Sequence, residues 1–244
     1  MTTSKTSTQR TVLISGATSG IGYATAKLLL AAGHKVIGIG RDFTKCNFNN
    51  SDFTAVEIDL GDIKKLPELL EPLAKENEAI DAIICCAGQG HFGSLEEFSY
   101  KKIYKLMDLN FTSHAFVCRA FVPQLKRKSH SNIIFIGSEA ALEGTQKGSI
   151  YCASKFALRG FSQALRQECS NKGIHITLIN PGMVKTEFFD TLNFAPGEDE
   201  SNHIEAEDIA ETIQMVLNSR PGTVIDEINL SPLKKVVRFN GNKN

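Results

Sequence analysis

The chain has 244 residues, 42% of them hydrophobic, which suits one compact domain with a substantial core. Lys plus Arg (27) equal Asp plus Glu (27), so the formal charge is zero; a nucleic-acid partner, which needs a clustered basic excess, is not expected. No run approaches the ~18 to 20 apolar residues of a membrane span, and the polar start lacks a signal peptide's apolar stretch, so a cytoplasmic protein without a membrane partner is expected.

Residues 1–9 read as a disordered tail. An apolar strand over 12–15 runs into a helix over 21–32, and strands follow at 35–40 and 53–58. The pattern then gives a helix over 63–75, whose first turns accommodate Pro67, and a strand over 80–86. A long helical region, 99–128, precedes a strand at 132–137. A helix over 151–170, a strand over 174–180, a helix over 206–219 and a strand over 224–230 complete the series. Residues 187–204 form the main irregular stretch, and 233–244 read as a C-terminal tail.

Strands separated by helices imply crossover connections and a parallel sheet covered on both faces. The expected fold is therefore α/β, a single Rossmann-type doubly wound parallel sheet of about seven strands occupying residues 10–232 as one domain. Cys46, Cys85, Cys86, Cys118, Cys152 and Cys169 make no C-x-x-C pair, and no histidine cluster has zinc spacing, so no metal is expected. Cys85 and Cys86 read as buried strand thiols, since successive strand side chains point to opposite faces.

Ser15-Gly16-Ala17-Thr18-Ser19-Gly20-Ile21-Gly22 lies between the first strand and its helix. Glycines there allow a tight turn and close approach to a pyrophosphate, and the helix N-terminus offers free N–H groups with a partial positive charge. About twenty residues on, the second strand ends in Gly40-Arg41-Asp42. An acid at that tip would bind the ribose hydroxyls of NAD, whereas an arginine pairs a 2′-phosphate. With Gly40 as the last strand residue, Arg41 occupies the recognition point and Asp42 turns away, which favours NADP and leaves NAD possible.

Tyr151-Cys152-Ala153-Ser154-Lys155 opens a helix and sets Tyr151 and Lys155 at i, i+4 on one face. A tyrosine pKa near ~10 makes a poor base, and a neighbouring ammonium together with an oxidised nicotinamide would lower it. Such a pair alone is common by chance. Here Ser138 also ends a strand, at the carboxyl edge where open α/β sheets hold ligands. Asn110 falls within the long helical region, either at a kink that holds water or as an exposed amide.

Together these motifs resemble the short-chain dehydrogenase/reductase family over nearly the whole chain, from Val12 to about Leu230. Asp59-Leu60, Cys86-Ala87-Gly88 and Asn180-Pro181-Gly182-x-Val184-x-Thr186 join the match. The resemblance implies an NAD(P)-dependent oxidoreductase that moves a hydride between the nicotinamide and a small alcohol or carbonyl substrate. It implies that Gly16, Ser19, Gly20, Ile21 and Gly22 line the pyrophosphate, that Arg41 selects the 2′-phosphate, and that Asp59 and Leu60 bracket the adenine. Ala87 and Gly88 would pass beside the ribose, while Pro181, Gly182, Val184 and Thr186 hold the nicotinamide. Ser138 would hydrogen-bond the substrate oxygen and Tyr151 exchange its proton. Lys155 would bind the nicotinamide ribose and acidify the tyrosine, and Asn110 would anchor a proton-relaying water. A catalytically silent dinucleotide-binding regulator is the alternative, against which the retained Asn110, Ser138, Tyr151 and Lys155 weigh.

Two departures stand out. Ser15 replaces the usual threonine but keeps its hydroxyl, and Cys86 replaces the usual asparagine, removing amide bonds that tie the loop in place. Phe188, Phe189, Leu192 and Phe194 belong either to the body of the protein or to a lid over substrate. Gln89, His91, Glu139, Glu143 and Gln146 are further candidates for reaching the site. Glu-Phe-Phe after Thr186 is similar to the NADP-dependent 3-hydroxy acid branch, although no arginine is evidently aimed at a substrate carboxylate. A homodimer or homotetramer is expected through faces bearing Phe111, Phe116, Phe156, Leu158, Phe161 and Leu165.

Overall fold

The computed structural model describes residues 9–239. Strands β1 (Thr11–Ser15), β2 (Lys35–Gly40), β3 (Phe53–Glu57), β4 (Ala82–Cys85), β5 (Ser131–Ile136), β6 (Ile174–Pro181) and β8 (Glu227–Leu230) form a seven-stranded sheet in the order β3-β2-β1-β4-β5-β6-β8. Every pairing in it is parallel, so the expected Rossmann-type architecture is present. The chain builds outward from β1 on one side and from β4 on the other. The loops leaving these two neighbours therefore diverge, and a crevice opens at their carboxyl ends.

Alternation along the strands sorts the core into two layers. Leu13, Ile83, Ile133 and Phe135 face α2 (Leu66–Glu76), α4 (Ser113–Leu125) and α5 (Ser149–Cys169), where they meet Leu70, Phe121 and Leu158. Val12, Ile14, Ile84 and Ile134 point the other way, onto Leu29 of α1 (Gly20–Ala31) and Ile213 of α6 (Ala206–Leu217). Each fully buried side chain of this size contributes roughly 1.5 to 3 kcal/mol relative to exposure. Arg10 fastens the opposite edge of the sheet: its guanidinium donates to the Asp81 carboxylate at 2.8 Å and to Asn132 Oδ1 at 3.0 Å. That edge holds structure and leaves the crevice free for chemistry.

Element boundaries differ from expectation where polar residues intervene. The helix expected over 63–75 begins at Leu66, with Pro67 in its first turn. The long helical region divides into α3 (Tyr100–Met107), a single π-helical turn (Asp108–Thr112) and α4. Ser99 caps α3 by accepting the Lys102 N–H. The stretch 187–204 contains two 3-10 turns and β7 (Phe194–Pro196), which pairs antiparallel with β9 (Val237–Phe239) in a separate two-stranded ribbon. Residues expected as C-terminal tail thus carry a strand, while 1–8 and 240–244 lie outside the described residues. Among the described residues, no helix is long and apolar enough to cross a membrane, and no cluster of three or more His, Cys, Asp or Glu could hold a metal.

Candidate active site

The crevice is formed first by backbone. Gly16 has φ +72°, and a Cβ there would lie 2.9 Å from the Ala87 backbone, so only glycine lets the β1 loop rest on the β4 loop. A Cβ on Gly22 would overlap the Gly16 carbonyl oxygen. The Ser15 hydroxyl stitches the two loops together, accepting from the N–H groups of Cys86 (3.0 Å) and Ala87 (3.3 Å). His114 lies beneath them with Nε2 2.9 Å from the Ala87 carbonyl. Burial, aided by the Lys155 ammonium, pushes its pKa down to about 3. The ring is therefore neutral, and Nε2 must carry the proton because a carbonyl can only accept.

At the start of α1, Ser19 forms no side-chain cap and the first turn holds no acid. The helix amide end is left to an anionic ligand. Arg41 lines the cleft here, exposed and with no ion-pair partner among the described residues. Asp42 folds into its own turn, its carboxylate accepting the Thr44 N–H at 2.8 Å, as the register at the strand tip led us to expect. A volume of about 580 Å³ is lined by Gly16, Ser19, Gly20, Ile21, Arg41, Asp59, Leu60, Ala87, Gly88 and Thr186. Gly22 and Asn110 lie outside this lining and act on its shape.

Asn110 sits buried in the π turn. Its amide accepts the Gln89 N–H at 2.9 Å and donates to the Gln89 carbonyl at 3.0 Å and to Ser154 Oγ at 3.2 Å. The loop after Cys86 is thus pinned from two sides, by Ser15 and by Asn110. Cys85 is buried as expected, whereas Cys86 lies past the strand end and lines both halves of the cleft. Burial raises the Cys86 thiol to about 12, so it is a neutral wall group.

The second half of the cleft, about 690 Å³, is lined by Ser138, Tyr151, Lys155, Pro181, Gly182, Val184 and Thr186. Ser138 is fixed by a relay: its N–H donates to Asn180 Oδ1 at 3.3 Å, and the Asn180 amide donates to Glu227 at 3.1 Å and Asn229 at 2.9 Å. Its hydroxyl accepts the Ala140 N–H at 3.2 Å and faces the Tyr151 phenol across the cleft wall. Tyr151 and Lys155 occupy successive turns of α5, both buried, with Lys155 Nζ 5.9 Å from the phenol ring centre and donating to the Ile136 carbonyl at 3.0 Å.

In the protein alone Tyr151 is not acidified. Burial raises its pKa to about 12, and the Ser138 hydroxyl only moderates this. Lys155 is itself desolvated, its pKa lowered to about 8. A buried ammonium nearly 6 Å away does not offset the loss of water around a phenolate. In the protein alone the phenol therefore keeps its proton at neutral pH.

Phe188, Phe189 and Phe194 both pack and line: they surround the cleft and touch one another and Tyr151. Gln89, Glu139 and Gln146 reach this half and His91 the nucleotide half, while Glu143 lines neither. Phe92, Met183, Thr145, Lys147, Val237 and Phe239 were not foreseen. Phe92, four residues beyond Gly88 in the loop after β4, offered a signal; Val237 and Phe239 offered none. Of the expected interface residues, Leu158 and Leu165 face the core, Phe116 and Phe161 pack against it, and Phe111 stacks edge-on against Phe161. Phe156 is the one left 44% exposed.

The short chain dehydrogenase family profile matches residues 10–196. An uncharacterized oxidoreductase of Staphylococcus epidermidis is 26% identical over 229 residues, covering 92% of this chain and 98% of its own. Among solved structures, ElxO with NADP bound superposes with a TM-score of 0.79 at 22% identity, covering 92% of this chain and 97% of that one. The closed form of a serine dehydrogenase complexed with NADP+ gives 0.78 at 24% identity over 90% of this chain and 93% of the other. With the profile spanning β1 to β6, the glycine turn and the Ser138–Tyr151–Lys155 group, the chain belongs to the short-chain dehydrogenase/reductase family of oxidoreductases.

Proposed function

We propose that the protein reduces a carbonyl group on a small molecule to an alcohol with NADPH as the preferred cofactor, the reverse oxidation being the same step run backwards. The observation that carries this reading is the buried Tyr151 set with Ser138 and Lys155 in a cleft continuous with a second groove lined by the glycine turn and Arg41. The NADP-bound state of structurally similar proteins supports the cofactor choice.

The residues fit the cofactor on two grounds: the uncapped amide end of α1, and an unpaired arginine at the tip of β2. Arg41 would pair the 2′-phosphate, the N-terminus of α1 the pyrophosphate, and Asp59 with Leu60 the adenine. Pro181, Gly182, Val184 and Thr186 would seat the nicotinamide, and Lys155 its ribose. When bound, NADPH supplies the hydride that forms the new C–H bond at the carbonyl carbon and leaves as NADP+.

Ser138 holds the substrate oxygen, and Tyr151 gives that oxygen its proton as the C=O π pair becomes an O–H bond. The tyrosinate left behind is beside the Lys155 ammonium and regains a proton from solvent; any water held at the Asn110 turn would have to bind its backbone, since the side-chain amide is taken up by Gln89 and Ser154. A dimer or tetramer formed across α4 and α5, with Phe156 at the contact, belongs to the same reading.

A screen of NADPH oxidation over carbonyl substrates tests it. Loss of a positioned acid costs roughly 10²- to 10⁴-fold, so Tyr151→Phe should lower turnover by that factor while NADPH still binds. Undiminished turnover in Tyr151→Phe refutes the mechanism.

A further inference from the structure

Tyr151 is one member of a closed circuit of aromatic rings. Its ring centre is 5.0 Å from Phe92, which is 5.0 Å from Phe194. Phe194 is 5.9 Å from Phe189, Phe189 is 5.2 Å from Phe188, and Phe188 returns to Tyr151 at 6.1 Å. All five rings line the same cleft, so the group that donates the proton is built into an apolar wall.

The C-terminal strand extends that wall. Phe239 pairs in register with Phe194 across the β7–β9 ribbon, so the two side chains share a face, and Val237 points the same way two residues earlier. Both Val237 and Phe239 line the cleft, and Phe239 is 72% exposed. Arg238, between them, ion-pairs with Glu198. Lys235 reaches Glu139 beside Ser138 at 2.6 Å, which ties the strand to the rim of the site.

Charges on the cleft do not select an anion. Glu97 accepts the Ser94 N–H and Glu139 holds Lys235, while Lys155 is bonded to the Ile136 carbonyl. Lys147 is the remaining cation, exposed at the edge, and no arginine among the described residues lines this half. A carboxylate substrate would meet as many carboxylates as ammonium groups.

Resting on the carbonyl-reduction reading above, we infer that the substrate is a neutral ketone or aldehyde bearing a bulky aromatic or branched apolar group, seated against Phe92, Phe194 and Phe239, and that the C-terminal strand sets this preference. The 3-hydroxy acid class is thereby set aside.

The test compares phenyl methyl ketone, butanone and acetoacetate as NADPH-dependent substrates of the full chain. A hydrophobic pocket discriminates at roughly tenfold or more per apolar group, so kcat/KM for the phenyl ketone should exceed both others by at least about tenfold. In Phe194→Ala and Phe239→Ala, the ratio of phenyl ketone to butanone should fall about tenfold. Saturation-transfer NMR of phenyl methyl ketone on the protein should show ring contacts that weaken in the same variants. Equal or better turnover of acetoacetate, or an unchanged ratio in both variants, overturns this inference while leaving carbonyl reduction standing. No NADPH consumption with any carbonyl overturns both.

Discussion

The two halves of the cleft are made from different materials. The nucleotide half is backbone: a glycine turn, an open helix end, and loops held by Ser15 and Asn110. The substrate half is side chain: rings from positions 92, 151, 188, 189, 194 and 239, brought together by loops and a terminal strand. Backbone devices fix a shape common to many chemistries, whereas a wall of side chains can be rebuilt by changing single residues. The first half therefore carries what the family shares, and the ring wall of the second is where substrate choice can vary.

The contrast is broken most severely by removing what pins the nucleotide half. Asn110→Ala leaves both backbone groups of Gln89 without their buried partner, which should cost about 2 to 3 kcal/mol of stability. Thermal melts should fall, and NADPH affinity with them, since the Gly88–Gln89 loop lines both clefts. A melting temperature like the parent's would mean that the loop is held elsewhere.

A smaller effect, confined to cofactor choice, is expected from Arg41→Ala. Loss of one charge-assisted contact should weaken NADP binding by about 1.5 to 3 kcal/mol and leave NAD nearly untouched. Titration calorimetry with both nucleotides checks this, and equal losses would remove Arg41 from the recognition point.

The smallest effect is expected at the rim of the substrate half. The Lys235–Glu139 pair is largely solvated, so Lys235→Ala should change stability by less than about 1 kcal/mol and leave nucleotide affinity unaltered. A larger loss, read by denaturant titration, would make the ribbon part of the core rather than an appended wall.

The same division explains what could be read from the chain. Strand runs such as Val12–Ser15 and the turn at Gly16 to Gly22 act over a few neighbouring residues, so their signals are local, and the sheet and the nucleotide groove were both legible. Asp42 turning away from the site was legible too, because register at a strand tip decides it. Phe239 meets Phe194 only through a ribbon whose two strands lie about forty residues apart, with nothing in either segment to announce the pairing. The π turn at Asn110 was visible only as an odd polar residue in a helical run. For Tyr151 the spacing to Lys155 was plain, but the depth of burial that raises its pKa in the protein alone belongs to the packed fold.

That protonation is the centre of the account, and the chain's composition allows a clean measurement of it. With four tyrosines and no tryptophan, tyrosinate absorbance of the wild type minus that of Tyr151→Phe isolates one phenol. A raised pKa keeps the acid form present until pH climbs through that value, here about 12. The difference signal without nucleotide should therefore show no ionisation of Tyr151 up to about pH 10, the ordinary phenol value. An ionisation midpoint between pH 7 and about 9, below that ordinary value, would contradict a phenol held as a proton donor by burial.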